Sequence, residues 1–152
     1  MTEALPTERI EQLIRGEFPD AVLETSEVGG VPTLVVRGED IVPVCAFLKE
    51  RGDLGFDYPM SITAVEWPEN FEVVYHLYSV PHGHYVTLKV KLPKEKPSIP
   101  SVTSVWKGAN WQEREVYDMF GIEFEGHPDP RRILTDEDFE GFPLRKDFVE
   151  TD

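Results

Sequence analysis

Two β-prone runs joined by a short turn constrain this chain more than any other feature. Phe71–Val80 is apolar on nearly both sides, so as a strand it must be covered on both faces and sit centrally in a sheet. Tyr85–Leu92 alternates: Val86, Leu88, Val90 and Leu92 face one way, and Tyr85, Thr87, Lys89 and Lys91 face the other. Pro81–His84 is the turn between them. A central strand needs neighbours, and three more runs supply them: Ser61–Trp67, and the pair Ala21–Val28 and Val31–Val36 around Gly29-Gly30. Gly-Gly between β-prone runs predicts a hairpin, because both central residues can adopt positive φ.

Helical signals alternate with these strands. Thr7 is a candidate cap for a helix carrying Ile10, Leu13, Ile14 and Phe18 at helical spacing, stopped by Pro19. Asp40 is the next candidate cap, ahead of Ile41, Val44, Cys45 and Leu48, with Pro43 tolerated in the first turn and Gly52 closing the helix. Pro93–Pro100 reads as a linker, and Val102–Lys107 as a short helix. Asn110 is a candidate cap for a third helix, with Glu113 placed to reach back to the cap amide and Gly121 ending it. From Ile122 to Asp152 no periodicity survives, although Phe124, Ile133, Leu134, Phe139, Phe142, Leu144 and Phe148 keep it apolar. Such a segment packs either back over its own domain or onto a partner.

The expected fold is therefore α+β: a compact domain over residues 1–108 with a mixed or antiparallel sheet. A helix and an extended, partner-binding tail follow over residues 109–152. A chain of 152 residues with 40% hydrophobic and 29% charged side chains suits a single globular domain. Its net charge of −14 argues against nucleic-acid binding and an anionic membrane surface, since both need cations and the densest basic stretch is Lys89, Lys91, Lys94 and Lys96. No apolar run approaches the roughly 20 residues needed to span a bilayer. Met1–Thr7 lacks a signal-peptide pattern, so a reduced, cytosol-facing setting is expected.

Chemistry-bearing motifs are sparse. Neither GxGxxG nor GxxxxGK[ST] is present, and no GxSxG elbow. The lone Cys45 lies on an apolar stripe and reads as a small core residue; one cysteine cannot hold an iron–sulfur cluster. His82-Gly83-His84 is a close histidine pair, but without a paired-cysteine or HExxH pattern it reads as a solvated turn. Glu113 and Glu115 point about 200° apart on a helix, so they do not form a dyad, whereas Arg114 and Asp118 are spaced to pair. Arginines set among aromatic anchors, as across Trp111–Phe148, are typical of interfaces.

The same segment resembles the 30-kDa subunit family of respiratory complex I, known in bacteria as the C subunit of NADH–quinone oxidoreductase. The resemblance rests on Ala109-Asn110-Trp111-Gln112-Glu113-Arg114-Glu115-Val116-Tyr117-Asp118-Met119-Phe120-Gly121-Ile122 and Gly126-His127-Pro128-Asp129. It continues through Arg131-Arg132-Ile133-Leu134, Phe139-Glu140-Gly141 and Pro143-Leu144-Arg145-Lys146-Asp147-Phe148. Two positions depart from the family pattern: Phe142 stands where histidine is usual, and Pro130 where leucine is usual.

The resemblance implies a peripheral-arm subunit with no redox cofactor or catalytic residue of its own. NADH, FMN, iron–sulfur clusters and quinone would lie on other subunits. Its partner would be the 49-kDa quinone-site subunit, with neighbouring cluster-binding subunits. It would lie at the cytoplasmic face of the plasma membrane, peripherally and without insertion, in a proton-translocating complex. Expected contact residues are Trp111, Glu113, Arg114, Glu115, Tyr117, Asp118, Phe124, His127, Arg131, Arg132, Leu134, Arg145, Lys146, Asp147 and Phe148. Two alternatives stand beside it: the same scaffold in a ferredoxin-fed or hydrogenase-type complex, and a free-standing enzyme using His127 with Glu113 or Glu115.

Overall fold

The computed structural model describes residues 4–129 and 141–146. Helix α1 (Thr7–Glu17) buries Ile10 and Ile14, one turn apart. Its cap position falls on Pro6, whose carbonyl accepts from the Arg9 and Ile10 amides. Thr7 is the first helical residue, and its hydroxyl donates to the Gly30 carbonyl at 3.2 Å, so the expected Thr7 cap is not made. The hairpin of β1 (Val22–Val28) and β2 (Val31–Val36) turns as expected, with Gly29 at φ 58° and Gly30 at φ 80°.

A 3-10 turn (Gly38–Asp40) leads into α2 (Ile41–Glu50). Asp40 occupies the cap position, but its carboxylate accepts from Arg37 Nε at 2.8 Å instead of capping. Ile41, Val44, Cys45 and Leu48 are buried, the stripe that the sequence implies.

Strand β3 (Tyr58–Glu66) begins earlier than expected, because a bulge at Met60 lets Tyr58 and Pro59 join the ladder. It pairs with β4 (Asn70–Tyr78), which pairs with β5 (Tyr85–Pro93), both antiparallel. The hairpins meet through a parallel pairing of β2 with β5, giving a five-stranded mixed sheet in the order β1-β2-β5-β4-β3. Phe71, Val73, Tyr75 and Leu77 of β4 join Val86, Leu88, Val90 and Leu92 of β5 in the core with α1 and α2. On the opposite face of β4, Glu72 and Val74 are buried and His76 is exposed, so that strand is covered on nearly both sides.

Two sequence expectations fail beyond β5. The Pro93–Pro100 linker ends in a short strand, β6 (Ser98–Pro100). Val102–Lys107 is a pair of turns, not a helix, with Val105 and Trp106 amides both donating to the Val102 carbonyl. Residues after Ile122 include β7 (Glu123–Glu125), parallel to β6 and holding Ile99 and Phe124 inward. Short strands of this kind leave no periodicity to read. Between them runs α3 (Ala109–Phe120), which packs on β3 and ends at Gly121. Among the described residues no helix is long and apolar enough to cross a membrane.

Candidate functional site

Helix α3 and the strands flanking it gather most of the described signature residues. The helix starts at Ala109, not after Asn110, because Ala109 and Asn110 amides already bond the Trp106 and Lys107 carbonyls. Glu113 consequently has no capping role. It is fully buried, and its carboxylate accepts from Ser101 Oγ at 2.6 Å and from the Val102 amide at 2.9 Å. Burial pushes the Glu113 carboxyl above the usual range, against the opposing pull of those two donors. Glu115 points outward and accepts from Trp111 Nε1 at 2.7 Å, so the two carboxylates do diverge.

His127 is held by the backbone. Its Nε2 lies 3.0 Å from the Asn110 carbonyl, and its Nδ1 accepts from the Asp129 amide at 2.9 Å. These partners assign the neutral tautomer with the proton on Nε2. Nε2 is 3.9 Å from Glu113 Oε1, so the pair is close, yet both ring nitrogens and both carboxylate oxygens already have partners within the chain. A cavity of about 270 Å³ lies beside it, lined by Glu113, Arg114, Tyr117, Phe124 and His127 among others.

Arg114 lies with its guanidinium carbon 5.6 Å from the Trp111 ring centroid, and its Nη1 is 3.6 Å from Asp129 Oδ2. The Asp129 approach is one that the i,i+4 pattern could not show. Asp118 is fully buried and Phe124 nearly so. Trp111 stands 53% exposed on the outer face of α3.

The described end of the chain runs back over its own domain. The Leu144 amide donates to the Met119 carbonyl at 3.0 Å, and Arg145 Nε donates to the Phe120 carbonyl at 2.5 Å. The Arg145 guanidinium is 5.0 Å from the ring centroids of both Phe71 and Phe142. The Lys146 amide donates to Glu66 Oε1, and that carboxyl is held below its usual range by the Lys94 ammonium bonded to it. Phe142, where the family pattern has histidine, lies over Gly121 and tilts against Tyr117 with ring centroids 6.1 Å apart. Arg131, Arg132, Leu134, Asp147, Phe148 and Pro130 lie outside the described residues.

Residues 34–152 match the model of the family described as the respiratory-chain NADH dehydrogenase 30 Kd subunit. The chain belongs to this family. The C subunit 2 of the Rhizobium meliloti NADH-quinone oxidoreductase is 50% identical over 138 residues, which cover 89% of this chain and 75% of the relative. The C subunit of the Roseiflexus sp. enzyme is 44% identical over 147 residues, 95% of this chain and 84% of the relative. Among solved structures, a trypsin-resistant fragment of Nqo5 superposes with a TM-score of 0.67 at 35% identity, covering 80% of this chain and 97% of that one. A chain of the membrane-bound sulfane sulfur reductase, an archaeal respiratory membrane complex, superposes with a TM-score of 0.78 at 32% identity, covering 93% of this chain and 85% of that one. The α+β fold is thus that of a 30-kDa-subunit family member, and its relatives are parts of respiratory complexes.

Sequence reasoning missed two features of this 30-kDa family member. Ser101 holds Glu113 across 12 positions, a link no local pattern reveals. Gln112 lies on the free edge of β3: its Nε2 donates to the Pro59 carbonyl at 2.9 Å, and its Oε1 accepts from the Ile62 amide. A side-chain amide there does what another strand would do, and blunts the sheet edge.

Proposed function

We propose that this chain is a scaffolding subunit of a proton-translocating NADH–quinone oxidoreductase. It holds the 49-kDa quinone-site subunit and the neighbouring iron–sulfur subunits in register, while electron transfer and quinone chemistry occur on those neighbours. The observation that carries this reading is the division of labour in the signature segment. Glu113, Asp118 and His127 are committed inside the chain, whereas Trp111, backed by Arg114, and Leu144 at 57% exposure stand outward. An exposed aromatic group of this kind anchors interfaces. Lys146, and Arg131, Arg132, Leu134, Asp147 and Phe148 outside the described residues, are proposed as further contacts with the quinone-site partner, on the cytoplasmic face of the membrane.

The superposition on a chain of another kind of respiratory membrane complex supports a second reading, the same scaffold in a complex such as a ferredoxin-fed or hydrogenase-type one. Both are tested by Trp111→Ala and Leu144→Ser. Neither side chain is part of the core, so the isolated variants should unfold within about 0.5 kcal/mol of the parent, while their recovery in the membrane complex falls. Full recovery of both variants would remove Trp111 and Leu144 from the interface. The electron-input subunits that accompany the parent chain separate the two readings.

A further inference from the structure

The His82-Gly83-His84 turn is not a solvated turn. His84 is 4% exposed, 4.9 Å from the Phe56 ring and stacked on His82 at 5.3 Å with 16° between the planes. Its Nε2 lies 2.6 Å from the Leu54 carbonyl, and its Nδ1 accepts from the Leu5 amide at 3.1 Å. A carbonyl accepts only and an amide donates only, so His84 is the neutral tautomer protonated on Nε2. His82 Nε2 lies 2.6 Å from the Gly52 carbonyl of the same α2–β3 loop. Three distant pieces of chain therefore meet on two imidazoles: the lead-in to α1, the loop after α2 and the β4–β5 turn.

We propose that His82 and His84 form a proton-sensitive latch that fastens the start of α1 to the sheet and releases it in mild acid. A proton on His84 Nδ1 turns the acceptor of the Leu5 amide into a donor, so the bond that holds Leu5 is lost. Among the described residues, the groups facing His84 are few. His82 comes from its own turn. Asp53 of the α2–β3 loop favours protonation but is already bonded to Arg51 at 2.6 Å. Asp57 of that loop accepts from the Val80 amide. Tyr78 and Tyr85 flank the turn with rings 4.5 Å apart, and the α1 lead-in brings the backbone amide of Leu5. Burial holds the His84 ring below the usual histidine range, so the native state takes up its proton later than the unfolded chain does. Stability from this group is complete above the ordinary histidine value and falls as pH drops toward the lowered native value.

The test is amide hydrogen exchange of the full chain, corrected for intrinsic rates, between about pH 8 and pH 5, with the His84 ring nitrogens followed by NMR. Protection of Leu5 and the first turn of α1 should fall by up to about tenfold per pH unit between the ordinary histidine value and the lowered native one, relative to α2, as expected for one linked proton. His84→Gln keeps a donor to Leu54 but cannot titrate, and should flatten that fall. Constant α1 protection in the parent, or an undiminished fall in His84→Gln, overturns the latch. Should His84→Gln not fold, the parent alone decides: release of Leu5 while the His84 Nδ1 remains unprotonated is equally contrary.

Discussion

At the scale of single residues, Glu113 joins the strands to the signature helix. It is fully buried and bonds Ser101 and the Val102 amide. Glu113→Ala strands both donors, and should cost about 2–3 kcal/mol in urea unfolding. Its pH dependence has a definite sign. The native carboxyl sits above the usual glutamate value of 4.5, so the native state keeps a proton where the unfolded chain has lost it. The contribution is fullest below that value and declines as pH rises through the native one. The stability of the parent relative to Glu113→Gln should therefore shrink as pH rises above about 4.5; a gap that widens instead contradicts the assignment. Cys45 is the core thiol that its apolar stripe implies. Burial pushes it far up the pKa scale, so it should resist thiol reagents until the chain unfolds.

At the scale of elements, the end of α3 and segment 141–146 hold each other. Gly121 has φ 76°, and a Cβ there would lie 2.6 Å from the Phe142 ring. Gly121→Ala should cost about 1–2 kcal/mol from the left-handed backbone alone, and more from the displaced ring. Adding Phe142→Ala should relieve the second part, giving a coupling of at least ~0.5 kcal/mol in a double-mutant cycle; strict additivity would separate the two. Gln112→Ala should uncover the β3 edge and raise concentration-dependent association, read by light scattering. These elements also show what a sequence can reveal. The β4 and β5 runs and the Gly29-Gly30 hairpin were legible because each carries its own period or turn chemistry. The start of α3 was not. Asn110 and Glu113 have the form of a capping box, but turns at Trp106 and Lys107 begin the helix earlier and Ser101 takes the carboxylate. Strands β6 and β7 were invisible because each has only 3 residues and is stabilised by a distant partner.

At the scale of the whole molecule, the parallel joining of β2 to β5 turns two local hairpins into one sheet, and no local signal announces it. Family membership, by contrast, was legible from one stretch of chain, which lies within the matched residues 34–152. The structure divides their duties. Phe142 and Arg145 stitch the described C-terminal segment to the chain's own α3 and β4, so Arg145→Ala should lower the stability of the isolated chain as well as its incorporation. Burial within the signature segment was not legible in the sequence. Glu113 and Asp118 look as charged as Glu115 in sequence, yet both face inward.

The central claim is that the chain works as a part of a membrane-attached respiratory complex. The most direct measurement is to tag it at the N-terminus, solubilise native membranes gently and identify what accompanies it. The account predicts a large assembly with the quinone-site, iron–sulfur and NADH-oxidising subunits. Recovery of the chain alone from the soluble fraction would contradict it.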